Sequence, residues 1–246
     1  DMGIVLGVGS GGKLEAESVY REYLESEGRC TRFSRLANLC PASSADHITT
    51  GLGLMGPKTT FMTACSSGAT AIGFARDLIV RGDAAVMIAG GVEPLSRTTY
   101  ATFNALQAVD PEYCKPFDRK RQGLSLGEAS AMMILESLTH ARKRGAHIYG
   151  EVLGYGVTCD SHHMTAPDPT GSGAVRSIRA ALQDAALPPT AVDYISAHGT
   201  ATPASAPSFS RASARSAGRA IPALVVELAS RFETVVRASP PMKHAW

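Results

Sequence analysis

The segment TTFMTACSSGATAIG, residues 59–73, places a cysteine between an apolar β-branched run and a stretch with helical spacing. A strand before Cys65 and a helix after it put the sulfur near a helix N-terminus, where the dipole and open backbone N–H groups favour a thiolate. Small residues after Cys65 allow a tight turn, and the Cys65 backbone N–H would face a developing oxyanion. The pattern predicts a nucleophile, and the alternative is a small buried core cysteine.

A histidine in AHGTAT, residues 197–202, is the second candidate, because it directly follows the predicted strand VDYIS. Ligands of open α/β sheets bind beyond the strand carboxyl ends, so His198 is expected to face a crevice as a base or as a donor to a carbonyl oxygen. Thr200 and Thr202 alternate on one side and are candidates for binding amide groups of a long substrate. A hydrogen-bonded structural histidine with turn-forming threonines fits the residues equally well.

A glycine-rich loop, GVGSGG at residues 7–12, matches GxGxxG through Gly7, Gly9 and Gly12. A dinucleotide site would continue into a second apolar strand ending in an acidic residue. The residues after Gly28 form a poor strand. We therefore favour a tight turn with close backbone packing, and a nucleotide-binding oxidoreductase is the alternative.

A polar loop, DSHHM, contains Asp160, His162 and His163, which are all residue types that bind metals. No partner ligands stand elsewhere at a convincing spacing. We expect a polar loop at the mouth of a site and no metal.

Composition limits the class of protein. The chain has 246 residues, 44% hydrophobic and 19% charged, which suits a soluble globular protein of one large or two small domains. A net charge of +2 argues against nucleic-acid binding. No apolar run reaches membrane-spanning length, and no secretory signal opens the chain. Five scattered cysteines without a CxxC pair indicate a reduced, cytoplasmic setting.

Strands and helices alternate along the chain, which predicts an α/β class with a mostly parallel, covered sheet. The expected strands lie at 2–7, 84–91, 131–136, 147–158 and 192–196, and the expected helices at 13–27, 44–54, 67–81, 137–146 and 174–186. From about residue 203 the composition changes to Ala, Ser, Pro and Arg with little pattern. Beyond that point only residues 223–237 have the spacing of an amphipathic helix.

Four stretches carry a resemblance to a known family: GPKTTFMTACSSGATAIGFARDLIVRGDAAVMIAGGVEP, KPFDRKRQGLSLGEASAMMILE, HARKRGAHIYGEVLGYGVTCDSHHMTAPDPTGSGA and YISAHGTATP. In this order they closely resemble the type II β-ketoacyl-[acyl-carrier-protein] synthases of the thiolase superfamily, over about residues 1–203. The resemblance implies a partial thiolase-like fold with αβαβα layers. It also implies that residues 1–137 form an N-terminal half carrying the nucleophile, that 138–203 begin a C-terminal half, and that 204–246 are a divergent tail expected to lack fixed structure.

The resemblance also implies roles for individual residues. Cys65 would accept an acyl group from acyl carrier protein as a thioester, and malonyl-carrier protein would lose carbon dioxide and attack it. His198 looks like the first of two histidines that support decarboxylation. Thr200 and Thr202 match residues that bind the pantetheine arm, and Tyr100 falls where the family usually has a phenylalanine near the acyl pocket. The resemblance implies a homodimer and no cofactor.

The chain departs from the family pattern at both ends. The family's second histidine, in a Lys-x-x-x-Gly-His motif, is not found, and neither is its glycine-rich loop near the C-terminus. After Pro203 the only histidine is His244. The family also has residues before MGIVLG, including a central strand. We therefore expect a fragment with unpaired partner strands and impaired condensation, and a tail read in a shifted frame or from a broken gene.

Two further functions are left open by these observations. A non-catalytic partner subunit that sets chain length would share most of the resemblance, although the presence of Cys65 counts against it. A nucleotide-binding oxidoreductase built on GVGSGG would bind nicotinamide nucleotides.

Overall fold

The structure, a computed structural model, describes residues 2–29, 32–163, 166–203, 224–229 and 232–238. The chain divides into two compact units. The first contains the residues up to Leu135 together with Thr200–Pro203, and the second contains Glu136–Gly199 with the described strands beyond. Within the described residues, no helix has the length and apolar character needed to cross a membrane.

The first unit is built on a four-stranded sheet of order β2-β1-β3-β4. Its strands are β1 (Met2–Val8), β2 (Lys58–Phe61), β3 (Val86–Glu93) and β4 (Ala129–Glu136). β1 lies parallel to both β2 and β3, with Met2 opposite Val86 at one end and Val8 opposite Val92 at the other. The expectation that neighbouring strands would be left unpaired is wrong for β1 and β3, because they pair directly along the whole of β1.

Helices cover the sheet of the first unit. They are α1 (Lys13–Glu25), α2 (Ser43–Leu52), α3 (Ser67–Arg81) and α4 (Arg97–Ala105), with a 3₁₀ helix at Phe33–Leu39. Ile4, Leu6 and Val8 of β1 pack with Ala45 of α2, while α3 packs against β1 and β3. β1 is therefore buried on both faces, as expected for a covered parallel strand.

The helix that follows the cysteine ends where its sequence predicts. The predicted helix at 67–81 matches α3, and Gly82 closes it in the left-handed conformation with φ of 81°. The Gly82 N–H reaches back to the Leu78 and Ile79 carbonyls. Such a cap needs only local sequence, since glycine adopts positive φ without strain.

The second unit contains another four-stranded sheet, of order β5-β8-β7-β6. Its elements are α5 (Leu138–Lys143), β5 (Gly150–Val157), α6 (Ser172–Asp184), a 3₁₀ turn (Pro189–Ala191), β6 (Tyr194–Ala197), β7 (Leu224–Ala229) and β8 (Phe232–Ala238). β8 is antiparallel to β5 and β7, whereas β6 and β7 are parallel. The prediction of a mostly parallel sheet is therefore wrong for this unit. Its core centres on Val175, Ile178, Ala181 and Leu182 of α6 with Val192.

The prediction of an amphipathic helix at 223–237 is wrong, because Leu224–Ala229 and Phe232–Ala238 are strands. Both segments are rich in valine, whose branched side chain favours a strand when partner strands are available. The rest of the predicted tail, residues 204–223, 230–231 and 239–246, lies outside the described residues.

A charged cluster joins the end of β4 to α5. Glu136 lies within 2.6 Å of the His140 Nδ1 atom and accepts from the Arg144 Nε atom at 2.9 Å. The Arg144 hydrogen bonds, followed by that of His140, lower the pKa of Glu136 from 4.5 to about 2. The carboxylate therefore stabilises the fold above pH 4.5, and this contribution disappears as the pH falls towards 2.

Replacing Glu136 with glutamine is expected to lower the free energy of unfolding by about 1–2 kcal/mol at pH 7, because charge-assisted hydrogen bonds are lost. The difference from the wild type should shrink between pH 4.5 and 2. Urea unfolding at a series of pH values measures both effects. The matched control is Glu25→Gln at the exposed end of α1. An equal and pH-independent loss in both variants would contradict the prediction.

Candidate active site

The cysteine lies at the joint between a strand and a helix, as predicted. β2 ends at Phe61, residues Ala64–Ser66 form a 3₁₀ turn, and α3 begins at Ser67. The Cys65 side chain is exposed, so the alternative of a buried core cysteine is wrong. An exposed sulfur directly before a fifteen-residue helix lies at the positive end of the helix dipole.

Hydroxyl groups hold the turn that carries the cysteine. The Ser67 Oγ atom accepts from the Thr63 N–H at 2.9 Å and lies 2.6 Å from the Ala64 carbonyl, to which it donates. The Ser66 Oγ atom donates to the Thr63 carbonyl at 2.6 Å. Ser66 and Ser67 are both only 3% exposed. Ala64 has a φ of 55°, which costs about 1–2 kcal/mol for a residue other than glycine, so these bonds stabilise an otherwise unfavourable turn.

The first glycine of GVGSGG lets β1 touch the start of α3. A Cβ atom at Gly7 would lie 2.2 Å from the Ser67 carbonyl carbon and 2.3 Å from the Gly68 nitrogen. Gly12 also lies against main-chain atoms, since a Cβ atom there would be 1.8 Å from the Asn38 carbonyl oxygen. The preferred interpretation of the motif, close backbone packing, is confirmed.

Replacing Gly7 with alanine is expected to lower the free energy of unfolding by about 3 kcal/mol or more, because the methyl group overlaps main-chain atoms that cannot rotate away. Thermal and urea unfolding measure the loss. Gly51→Ala is the matched control, because a Cβ atom there meets nothing within 4 Å. Alanine in that helix is expected to leave stability unchanged or raise it by up to about 1 kcal/mol. Equal stabilities for the two variants would contradict the prediction.

The backbone N–H groups of the same loop bind a carboxylate of the chain itself. The Glu93 Oε2 atom accepts from the Gly9 N–H at 2.6 Å and from the Ser10 N–H at 3.1 Å. The Ser10 hydroxyl donates to the other Glu93 oxygen. Glu93 ends β3 and thus occupies donors that a dinucleotide phosphate would need. The segment after α1 is a 3₁₀ helix at Phe33–Leu39 and not a second strand, which also disfavours a nucleotide site.

The histidine and the two threonines follow β6. His198 is half-buried in the second unit, and Gly199 has a φ of 53°. Thr200 and Thr202 belong to the first unit, which also carries Cys65, and their hydroxyl oxygens lie 3.3 Å apart. The structure therefore brings the two threonines together, and it places His198 in the other unit from Cys65.

Tyr100 lies on α4 and is 49% exposed. It lines a cavity of about 640 Å³ between α1 and α4, whose lining also includes Leu14, Glu15, Glu17, Ser18, Arg21, Leu95, Ser96 and Arg97. The Glu17 carboxylate accepts from the Arg97 and Thr98 N–H groups at the start of α4. Hydrogen bonding from Thr98 lowers the pKa of Glu17. Cys65 is not among the residues that line this cavity.

The Asp160 and His163 side chains, which the sequence offered as metal ligands, accept hydrogen bonds from nearby main-chain N–H groups. The Asp160 Oδ2 atom accepts from the Asp168 N–H at 3.0 Å, and the His163 Nδ1 atom accepts from the Ala166 N–H at 3.2 Å. Across the described part of the chain, no group of three or more His, Cys, Asp or Glu side chains has an arrangement that would hold a metal ion.

Sequence reasoning did not identify two long-range contacts of these segments: Glu93 accepts from the GVGSGG loop, and the Arg121 guanidinium donates to the Thr202 and Pro203 carbonyls. Glu93 is an acidic residue at the carboxyl end of a buried strand, a position that signals either ligand binding or loop support. Arg121 lies in a surface turn and is one of three consecutive basic residues, which gives no local signal for its contacts. Both contacts join residues more than eighty positions apart.

Two family models match the chain. The model described as β-ketoacyl synthase, N-terminal domain, matches residues 1–141, and the model described as β-ketoacyl synthase, C-terminal domain, matches residues 149–226. The chain therefore belongs to the β-ketoacyl synthase family.

Individual relatives agree with this assignment. The 3-oxoacyl-[acyl-carrier-protein] synthase 2 of Synechocystis sp. is 42% identical over 215 residues, which cover 83% of this chain and 51% of that protein. The crystal structure of a β-ketoacyl synthase from Burkholderia phymatum matches with a TM-score of 0.80 and 36% identity, over 87% of this chain and 54% of that one. The structure of the ishigamide ketosynthase/chain length factor matches with a TM-score of 0.84 and 32% identity, over 97% of this chain and 59% of that one.

These comparisons confirm the predicted thiolase-like α/β fold class. The chain spans between 51% and 59% of the length of the relatives named here.

Proposed function

We propose that this chain carries the nucleophile of a β-ketoacyl-[acyl-carrier-protein] synthase, which extends an acyl chain by decarboxylative condensation in fatty acid or polyketide-type biosynthesis. The observation that carries the proposal is the exposed Cys65 in a hydroxyl-braced 3₁₀ turn directly before α3. The family of the chain supplies the class of reaction.

The first step is acyl transfer to sulfur. The Cys65 thiolate attacks the thioester carbonyl of an acyl carrier protein, and the carrier's thiolate leaves and takes up the proton. The dipole of α3 favours the attacking thiolate, and the Cys65 backbone N–H donates to the oxyanion of the tetrahedral intermediate. Transfer to the enzyme divides one difficult condensation into two easier steps.

The second step forms the carbon–carbon bond. Malonyl-carrier protein loses carbon dioxide, the resulting carbanion attacks the acyl-Cys65 carbonyl, and the Cys65 thiolate leaves. His198 donates to the malonyl thioester oxygen or acts as a base during decarboxylation. Thr200 and Thr202 bind the pantetheine arm of the carrier, and Tyr100 lies near the acyl chain. No electron is transferred, so the reaction needs no redox cofactor, and we propose no metal.

The test is covalent labelling of the chain by an acyl-carrier protein thioester, read by intact-mass and peptide mass spectrometry. The expected result is one acyl adduct on the peptide containing Cys65.

A non-catalytic chain-length partner subunit would give no adduct. The relatives' synthase names favour the enzyme over that alternative. Saturable binding of NADH or NADPH without an adduct would instead support the oxidoreductase.

The partners that we propose are acyl carrier protein and a second copy of this chain, in a reduced cytoplasmic setting. The synthase name of the Synechocystis relative includes the carrier protein. The four described cysteines are scattered, with none in a disulfide. Light scattering after size-exclusion chromatography tests the dimer, and a monomer at micromolar concentration would contradict it.

A further inference from the structure

Arg121 joins two distant parts of the chain through main-chain carbonyl groups. Its Nη1 atom donates to the Asp118 carbonyl at 3.0 Å, which fixes the guanidinium in its own turn. Its Nε atom donates to the Thr202 carbonyl at 3.4 Å, and its Nη2 atom donates to the Pro203 carbonyl at 3.3 Å. Arg121 is half-buried, and its neighbours Arg119 and Lys120 are exposed.

The segment Thr200–Pro203 needs such support, because its backbone conformation is unfavourable. Ala201 is 2% exposed and has a φ of 61°. The left-handed conformation costs about 1–2 kcal/mol for a residue with a Cβ atom, and it persists only where the surroundings hold it. The preceding Gly199 also has a positive φ. The chain passes from the second unit to the first between Gly199 and Thr200.

We propose that Arg121 is a positioning residue, which holds Thr200–Pro203 in the unit that carries Cys65 and so sets where the Thr200 and Thr202 hydroxyls meet the pantetheine arm. The proposal rests on the proposed function. In this proposal Arg121 affects recognition of the pantetheine arm and does not affect the reactivity of Cys65, so the two properties can be measured separately.

The guanidinium is suited to this task, and an ammonium is not. Three carbonyl oxygens lie around Arg121 in different directions, and the planar group offers a fixed fork of five N–H donors. A lysine at this position keeps the positive charge but cannot bond all three oxygens from one rigid plane. Arg121→Lys therefore distinguishes the geometry of the side chain from its charge.

The experiment compares Arg121→Met and Arg121→Lys with the wild type, using Arg119→Met as the control for loss of a positive charge in the same turn. Acylation of Cys65 is measured with two donors of the same acyl chain, an acyl-pantetheine thioester and a p-nitrophenyl ester without the arm. For Arg121→Met we expect the KM for acyl-pantetheine to rise about tenfold at nearly constant kcat, and the rate with the p-nitrophenyl ester to be unchanged. Arg121→Lys should show most of the same rise, and Arg119→Met none.

Amide hydrogen exchange provides a readout that does not depend on activity. In Arg121→Met, the peptide covering residues 198–203 is expected to exchange at least about tenfold faster, because local opening becomes easier. The peptide covering Cys65 should be unaffected. Unchanged exchange at 198–203 overturns the proposal, and so does a parallel loss with both acyl donors. Failure of the proposed function gives a different result, because the wild type would then form no acyl adduct with either donor. The hydrogen exchange result would still decide whether Arg121 holds the segment Thr200–Pro203.

Discussion

Replacing Cys65 with alanine is expected to abolish acyl transfer, with a fall of about 10⁴-fold or more in the rate of covalent acylation. In the proposed reaction the Cys65 sulfur is the protein atom that bonds to the acyl carbon. The side chain is exposed, and hydroxyl groups of Ser66 and Ser67 hold the turn. The variant should therefore keep the stability of the wild type while losing the reaction.

The matched control is Cys40→Ala, which removes another exposed cysteine of the same unit. It is expected to be acylated at the wild-type rate. Cys65→Ser tests the nucleophile more finely, because a hydroxyl keeps the shape of the side chain but is not ionised at neutral pH. An acyl adduct that persists in Cys65→Ala, or that maps to another cysteine, would show that the nucleophile has been assigned wrongly.

Replacing His198 with alanine is expected to lower the rate of malonyl thioester decarboxylation by about 10²–10⁴-fold, the usual contribution of a positioned acid or base. Acylation of Cys65 should change by no more than about threefold, since His198 is proposed to act on the malonyl group and not on the sulfur. Release of carbon dioxide from malonyl-carrier protein measures the first quantity, and acyl adduct formation measures the second.

The control for His198 is His147→Ala, an exposed histidine of the same unit. His198→Gln separates the two roles that the residues leave open. A glutamine keeps an N–H donor but is not a base, so partial recovery of decarboxylation indicates donation to the carbonyl oxygen. Equal loss of acylation and decarboxylation in His198→Ala would indicate a structural histidine instead.

Local features of the sequence predicted most of the first unit and the place of Cys65 between a strand and a helix. The periodicity of residues 67–81 and the glycine at 82 predicted α3, because helix spacing and a left-handed cap depend only on neighbouring residues. The small residues around Cys65 predicted a tight turn, and the structure has a 3₁₀ turn there. The motif order also predicted the family.

Contacts between distant residues decided the features that the sequence left open and those for which the sequence prediction was wrong. The GVGSGG loop has the pattern of a nucleotide site, yet Glu93, more than eighty residues away, occupies its donors. The segments at 224–229 and 232–238 have helical spacing and form strands because partner strands are available. Arg121 reaches Thr202 across a similar separation. Local propensities differ by about 1 kcal/mol per residue or less, so pairing and packing with distant residues decide such cases.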